Sequence, residues 1–243
     1  MPFCNIIWLM VNKNYFEAFT RRQTAIGLAV LMMYSTGYLT PWLPFMRVVA
    51  NRWSTFAVIV VTIALLSPQL IQAFRAFRKD NSRLILWTFG TFVALFVAAI
   101  LWSVVQSVLI QTFDIPYPAH SNTANIMVEL RTLPVLGSIL LLLGSTILGP
   151  IFEELTYRGI LFRSLERLSG ILAHIFTAAL FGFQHVVVPV FIQHDSSAWV
   201  AIGNYVFFSL ALTFIYTRTR TLAPGIIAHS LFNCIGVLIS TRQ

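Results

Sequence analysis

A chain of 243 residues has room for one compact domain, and 58% hydrophobic residues, 10% charged residues and a mean hydropathy of +0.80 suit it to a bilayer; soluble domains carry about 25% charged residues. The formal net charge of +8 is no sign of a nucleic-acid partner, because the basic residues are spread over the ends of alternate apolar segments, as membrane topology requires. Cys4 and Cys234 stand near opposite ends of the chain, so no disulfide framework is expected.

In chain order, Phe3 to Val11 is apolar but short, and its basic residues follow rather than precede it, so it does not read as a cleaved signal peptide. A spanning helix needs about 20 apolar residues. Seven such stretches predict an all-α, polytopic transmembrane helix bundle. They lie near Thr24 to Phe45, Ser54 to Phe74, Leu84 to Ile110, Leu133 to Phe152 and beyond, Ile171 to Ile192, Trp199 to Tyr216, and Leu222 to Ile239. Twelve of the sixteen Lys and Arg residues fall on one side when the N-terminus is placed inside and the C-terminus outside: Lys13, Arg21, Arg22, Arg75, Arg78, Lys79, Arg83, Arg158, Arg163, Arg167, Arg218 and Arg220. The expected setting is a multi-pass protein of the cell membrane.

The chemistry divides the chain. Residues 1–132 hold N-terminal spans with almost nothing ionisable, read as packing and lipid-facing helices, and the stretch Gln111 to Arg131, with Asp114, His120 and Glu129, reads as an external connector. Residues 133–243 carry the intramembrane polar groups, and ionisable side chains in hydrocarbon are costly enough that a functional site is the first hypothesis for them.

Three groups stand out. Glu153 and Glu154 end an apolar run, and Arg158 lies four residues beyond Glu154, on the same helix face and able to pair with it. That leaves Glu153 the less compensated carboxylate. A kink at Gly149-Pro150 is expected, since a straight helix from Leu133 to Leu168 would overshoot the bilayer. The second group is Phe181 to His185; an imidazole there can orient a water or exchange a proton if a carboxylate is near. His174, earlier in the same span, reads as a packed histidine bonded to a backbone carbonyl. The third group is His229 and Asn233, four apart on one face, a pair of donors suited to an oxyanion.

Counting inward from the basic ends of their spans, Glu153, His185, His229 and Asn233 can meet in the cytoplasmic half of the membrane. Two chemistries fit them. Glu153 can act as general base on a water oriented with His185, or Glu153, His185 and His229 can bind Zn²⁺ that activates the water. Both end in hydrolysis.

Glu153-Glu154-x-x-x-Arg158, Phe181-x-x-x-His185 and His229-x-x-x-Asn233, each on its own apolar segment, resemble the motifs of the CPBP intramembrane protease family. That family includes type II CAAX prenyl proteases, Abi proteins and bacteriocin-processing or immunity proteins. The resemblance covers about Leu140 to Ile239, and Tyr216 to Pro224 is similar to the family's connection into its last motif helix. It implies that Glu153 activates water, that His185 helps hold it, that His229 and Asn233 face the oxyanion, and that Glu154 and Arg158 position the site. It implies an intramembrane endopeptidase, labelled a metalloendopeptidase in many accounts, acting on a membrane-associated peptide; the residue set favours the metal-free mechanism, because Asn suits hydrogen-bond donation better than zinc. The alternative is a non-catalytic bacteriocin self-immunity or interaction protein. Tyr157 stands where the family commonly has Phe.

Overall fold

A computed structural model describes residues 17–36, 52–118 and 122–240. Among the described residues there is no strand, and the chain forms α1 (Arg21–Thr36), α2 (Arg52–Leu65), α3 (Ser67–Lys79), α4 (Asn81–Phe113), α5 (Asn122–Thr132), α6 (Val135–Glu166), α7 (Gly170–Ile192), α8 (Ser196–Thr219) and α9 (Ala223–Ser240). Five of these, α4, α6, α7, α8 and α9, are long and apolar enough to cross a membrane. The chain is a multi-pass, all-helical membrane protein.

The last five expected spans each match one of these helices. The second does not run straight. α2 and α3 meet at 64°, because Pro68 in the first turn of α3 has no N–H to continue the ladder and its ring would strike the carbonyl of the preceding turn. The first expected span is represented by α1 as far as Thr36; its remainder to Phe45, together with Phe3 to Val11, Cys4, Lys13 and His120, lies outside the described residues. The connector from Gln111 to Arg131 is not all loop, since it contains α5. Arg158 is fully buried inside α6 and is therefore no part of a basic loop.

Helices in lipid gain little from the hydrophobic effect between them and associate by close packing instead, which favours small residues at contacts. α8 shows this at Gly203, where an added Cβ would lie 2.2 Å from the Trp102 ring of α4; the Trp102 indole N–H donates to the Val200 carbonyl at 3.1 Å. α4 packs on α8 and α9, and α7 on α8. Buried threonines return their hydroxyls to their own helices, Thr88 to the Leu84 carbonyl and Thr213 to that of Ser209, so no polar group is left to lipid at those points.

α6 carries two π-helical stretches, Gly144–Leu148 and Glu154–Phe162. At Gly149-Pro150, where a kink is expected, the first of these changes the hydrogen-bond register of a helix that continues as one element. The Gly149 N–H donates five residues back to Gly144, so Pro150 falls where its missing N–H would have served the Ser145 carbonyl. The Asn233 side chain fills that gap, its Nδ2 donating to Ser145 O at 3.0 Å.

α9 starts under a carboxylate from the far end of the chain. Glu17, fully buried, accepts from the Thr221 hydroxyl at 2.5 Å and the Leu222 N–H at 3.0 Å, satisfying a donor at the helix start. Arg163 of α6 donates to the Glu17 carbonyl at 2.6 Å.

Candidate active site

The second π stretch of α6 presents Glu154 and Arg158 to the protein interior, and Glu153, the residue just before it, lines a cavity of about 600 Å³. Glu154 Oε1 accepts from Arg158 Nη1 at 3.1 Å, and both side chains are buried, so this is no surface ion pair. The second Arg158 nitrogen donates to the carbonyl and hydroxyl of Ser209 on α8, at 3.1 and 2.9 Å, and the guanidinium lies over the Phe181 ring. Removing one partner of a buried pair leaves an uncompensated charge and costs about 3–5 kcal/mol. Fixed from three sides, Arg158 holds Glu154 in turn.

Glu154 then orients α9. His229 Nδ1 lies 3.2 Å from the same Oε1 that binds Arg158, so its N–H donates to the carboxylate. In the neutral ring this leaves Nε2 as an acceptor. Nε2 points toward Glu153, 3.6 Å from Oε2.

His185 is held in the same sense by a different partner. Its Nδ1–H donates to the Phe181 carbonyl at 2.7 Å, and its Nε2 lies 3.9 Å from Glu153 Oε1. The ring is sandwiched between Phe181 and Tyr205, with centroids 4.4 and 4.3 Å away. His174 makes the same backbone bond, to the Gly170 carbonyl at 2.7 Å, but its ring abuts Phe162 and does not line the cavity. The expectation of a packed histidine there holds.

Glu153 thus sits between two imidazoles that both present an Nε2 lone pair. Separations of 3.6 and 3.9 Å exceed a direct hydrogen bond and match a bridge through a small donor. A water between Glu153 and His185 can donate one hydrogen to each and keep a lone pair for attack.

The structure therefore brings together all six residues singled out in the sequence. Asn233 lines the cavity, and one of its two N–H groups is committed to Ser145 O. Glu153, His185 and His229 share the cavity, yet among the described residues no group of three His, Cys, Asp or Glu side chains is arranged to hold a metal ion. Glutamate and imidazole are nonetheless zinc-ligand types, so Glu153, His185 and His229 are the residues that would hold such an ion, and it would supply activation of a bound water.

Sequence reasoning missed several groups. Ser209 and Ser145 are ordinary serines in apolar helices, and only the fold gives them Arg158 and Asn233 as partners. Tyr157 donates its hydroxyl to Gln184 Oε1, which ties the carboxylate helix to the histidine helix one residue before His185. Tyr34, Phe56, Ile59 and Leu95 line the cavity from the N-terminal half, where packing and lipid contact alone were expected.

Residues 135–235 match the family described as Type II CAAX prenyl endopeptidase Rce1-like. The chain is 27% identical over 220 residues to the "Putative membrane peptidase YdiL" of Bacillus subtilis (strain 168), covering 87% of this chain and 82% of that one. It is 29% identical over 133 residues to the UPF0177 protein YaiF of Lactococcus lactis subsp. lactis (strain IL1403), covering 52% of this chain and 56% of the relative. No solved structure matches it.

Proposed function

We propose that the protein is an intramembrane endopeptidase in which Glu153 activates water, proceeding from the match of residues 135–235 to the Rce1-like family, in agreement with the motif resemblance. The family match and the Bacillus subtilis relative support a membrane peptidase. The observation that carries the finer reading is the placement of Glu153 between the Nε2 atoms of His185 and His229 in a buried cavity.

Glu153 and His185 both accept hydrogens from the water, which raises the electron density on its oxygen. Attack on the peptide carbonyl transfers the water's proton to Glu153 and leaves a tetrahedral oxyanion. The uncommitted N–H of Asn233 is a donor for that oxyanion. His229 Nε2, facing Glu153 Oε2, can take the proton on and deliver it to the leaving amine, while Glu154 keeps its Nδ1–H in place. Glu154 and Arg158 act through His229 and are positioning residues.

The test is cleavage of a farnesylated CAAX peptide and its unprenylated counterpart by purified protein in detergent, with and without a chelator. Glu153→Gln should leave the thermal melt in place and lower the rate by about 10²- to 10⁴-fold, the usual worth of a general base. Undiminished cleavage by Glu153→Gln would sink the assignment. Loss in wild type on adding chelator would replace it with a metal mechanism.

A further inference from the structure

The cavity is one-sided along the bundle axis. On α6 its lining runs from Gly137 to Glu153, on α9 from His229 to Val237, and on α7 from Phe181 to Val188. These stretches all lie on the side of Glu153 away from the ends of α6 and α8 and the starts of α7 and α9. Ile126 of α5, the helix on the α4–α6 connection, lines the cavity as well.

The opposite side is closed. Below Glu153 comes the buried layer of Glu154, Arg158 and Ser209, and below that Phe162, Tyr216, Leu222 and Ile226, none more than 3% exposed. Beyond this plug stand the basic residues: Arg163 and Arg167 at the end of α6, Arg218 and Arg220 at the end of α8, and Arg83 at the start of α4, which donates to the Arg218 carbonyl at 3.5 Å. Basic loops mark the cytoplasmic face.

We infer that a peptide reaches Glu153 from the membrane face opposite the basic loops, so the substrate class is a peptide presented on the extracytoplasmic side or in the outer leaflet. This rests on the peptidase reading for the word substrate, but the direction of access stands on the cavity and on the side the basic loops mark. A cytoplasmic chain end would have to cross the Glu154–Arg158 layer and the aromatic plug.

The test uses thiol accessibility in intact cells and needs no cleavage. In a Cys4→Ser, Cys234→Ser background, Leu140→Cys and Val237→Cys report the cavity, Tyr117→Cys the α4–α5 connection, and Leu168→Cys, at a site 82% exposed, the loop after α6. A membrane-impermeant methanethiosulfonate reagent should modify positions 117, 140 and 237 from outside and position 168 only after permeabilisation. Adding Glu153→Gln should leave this pattern unchanged, so a failed peptidase assignment and a failed access assignment give different results. Modification of position 168 in intact cells overturns the inference by inverting the orientation. Modification of position 117 with none at 140 and 237 overturns it by closing the route.

Discussion

Asn233 carries two tasks that a single substitution would confound, and the backbone defect at Pro150 separates them. Asn233→Ala leaves the Ser145 carbonyl unsatisfied, at a cost of about 1–3 kcal/mol. Pro150→Ala restores an N–H to that turn, so the stability cost of Asn233→Ala should shrink in a Pro150→Ala background, as read by thermal melts of the four proteins. Any loss of cleavage that persists in the double variant belongs to the oxyanion task; recovery of full activity would leave Asn233 a structural residue only. The Glu154–Arg158 pair was legible from spacing, because four residues put both on one face and the pair forms at 3.1 Å. His185 was legible only as a candidate. It makes the same backbone bond as His174, and the two differ in what the other nitrogen faces, which depends on a second helix that no local pattern specifies.

At the scale of elements, apolar run length located the long helices but not the 64° bend between α2 and α3. The sequence of α3 continues the apolar stretch of α2 far enough to read as one span, while its contacts place it across the end of the bundle. Gln69 Nε2 donates to the Ala18 carbonyl at 2.6 Å, Gln72 accepts from the Ala18 N–H at 3.1 Å, and the Ala73 carbonyl accepts from Thr221 at 3.4 Å. These partners all sit where α1 and α9 begin, so residues 69 to 73 of α3 are anchored at that level. Outward it shows Ile71 and Phe74, 50% and 37% exposed, beside Arg75, Arg78 and Lys79, the pattern of a helix lying in the interface. Spin labels placed singly along residues 68 to 79 should give depths that oscillate with a period of about 3.6 residues; a steady depth gradient from one end to the other would make α3 part of a crossing. The π turns were equally hidden, since Pro150 announces a disturbance but not which register absorbs it.

Across the whole molecule, the chemical division at residue 132 is not a physical one, because the cavity takes walls from α1, α2 and α4 as well as from the helices that carry its polar groups. The clearest link between the two halves is Glu17, invisible in the sequence because its partners lie more than 200 residues away. Burial raises its pKa above 4.5, outweighing the opposing bonds from Thr221, Leu222 and the nearby Arg163 charge. The folded chain therefore holds the Glu17 proton more tightly than the unfolded chain does. The resulting stabilisation is complete below about pH 4.5 and declines as the pH rises through the folded value. Glu17→Gln keeps an acceptor for Thr221 and Leu222 and cannot ionise, so the melting temperature of the wild type should fall relative to this variant as the pH is raised from 4.5. Glu17→Ala removes the acceptor at every pH and should cost about 1 kcal/mol, as loss of a helix cap does. A wild type that gains on Glu17→Gln with rising pH would mean that the carboxylate is stabilised by its partners more than burial penalises it. The start of α9, and with it the placement of His229 and Asn233, would then be held by a fixed charge.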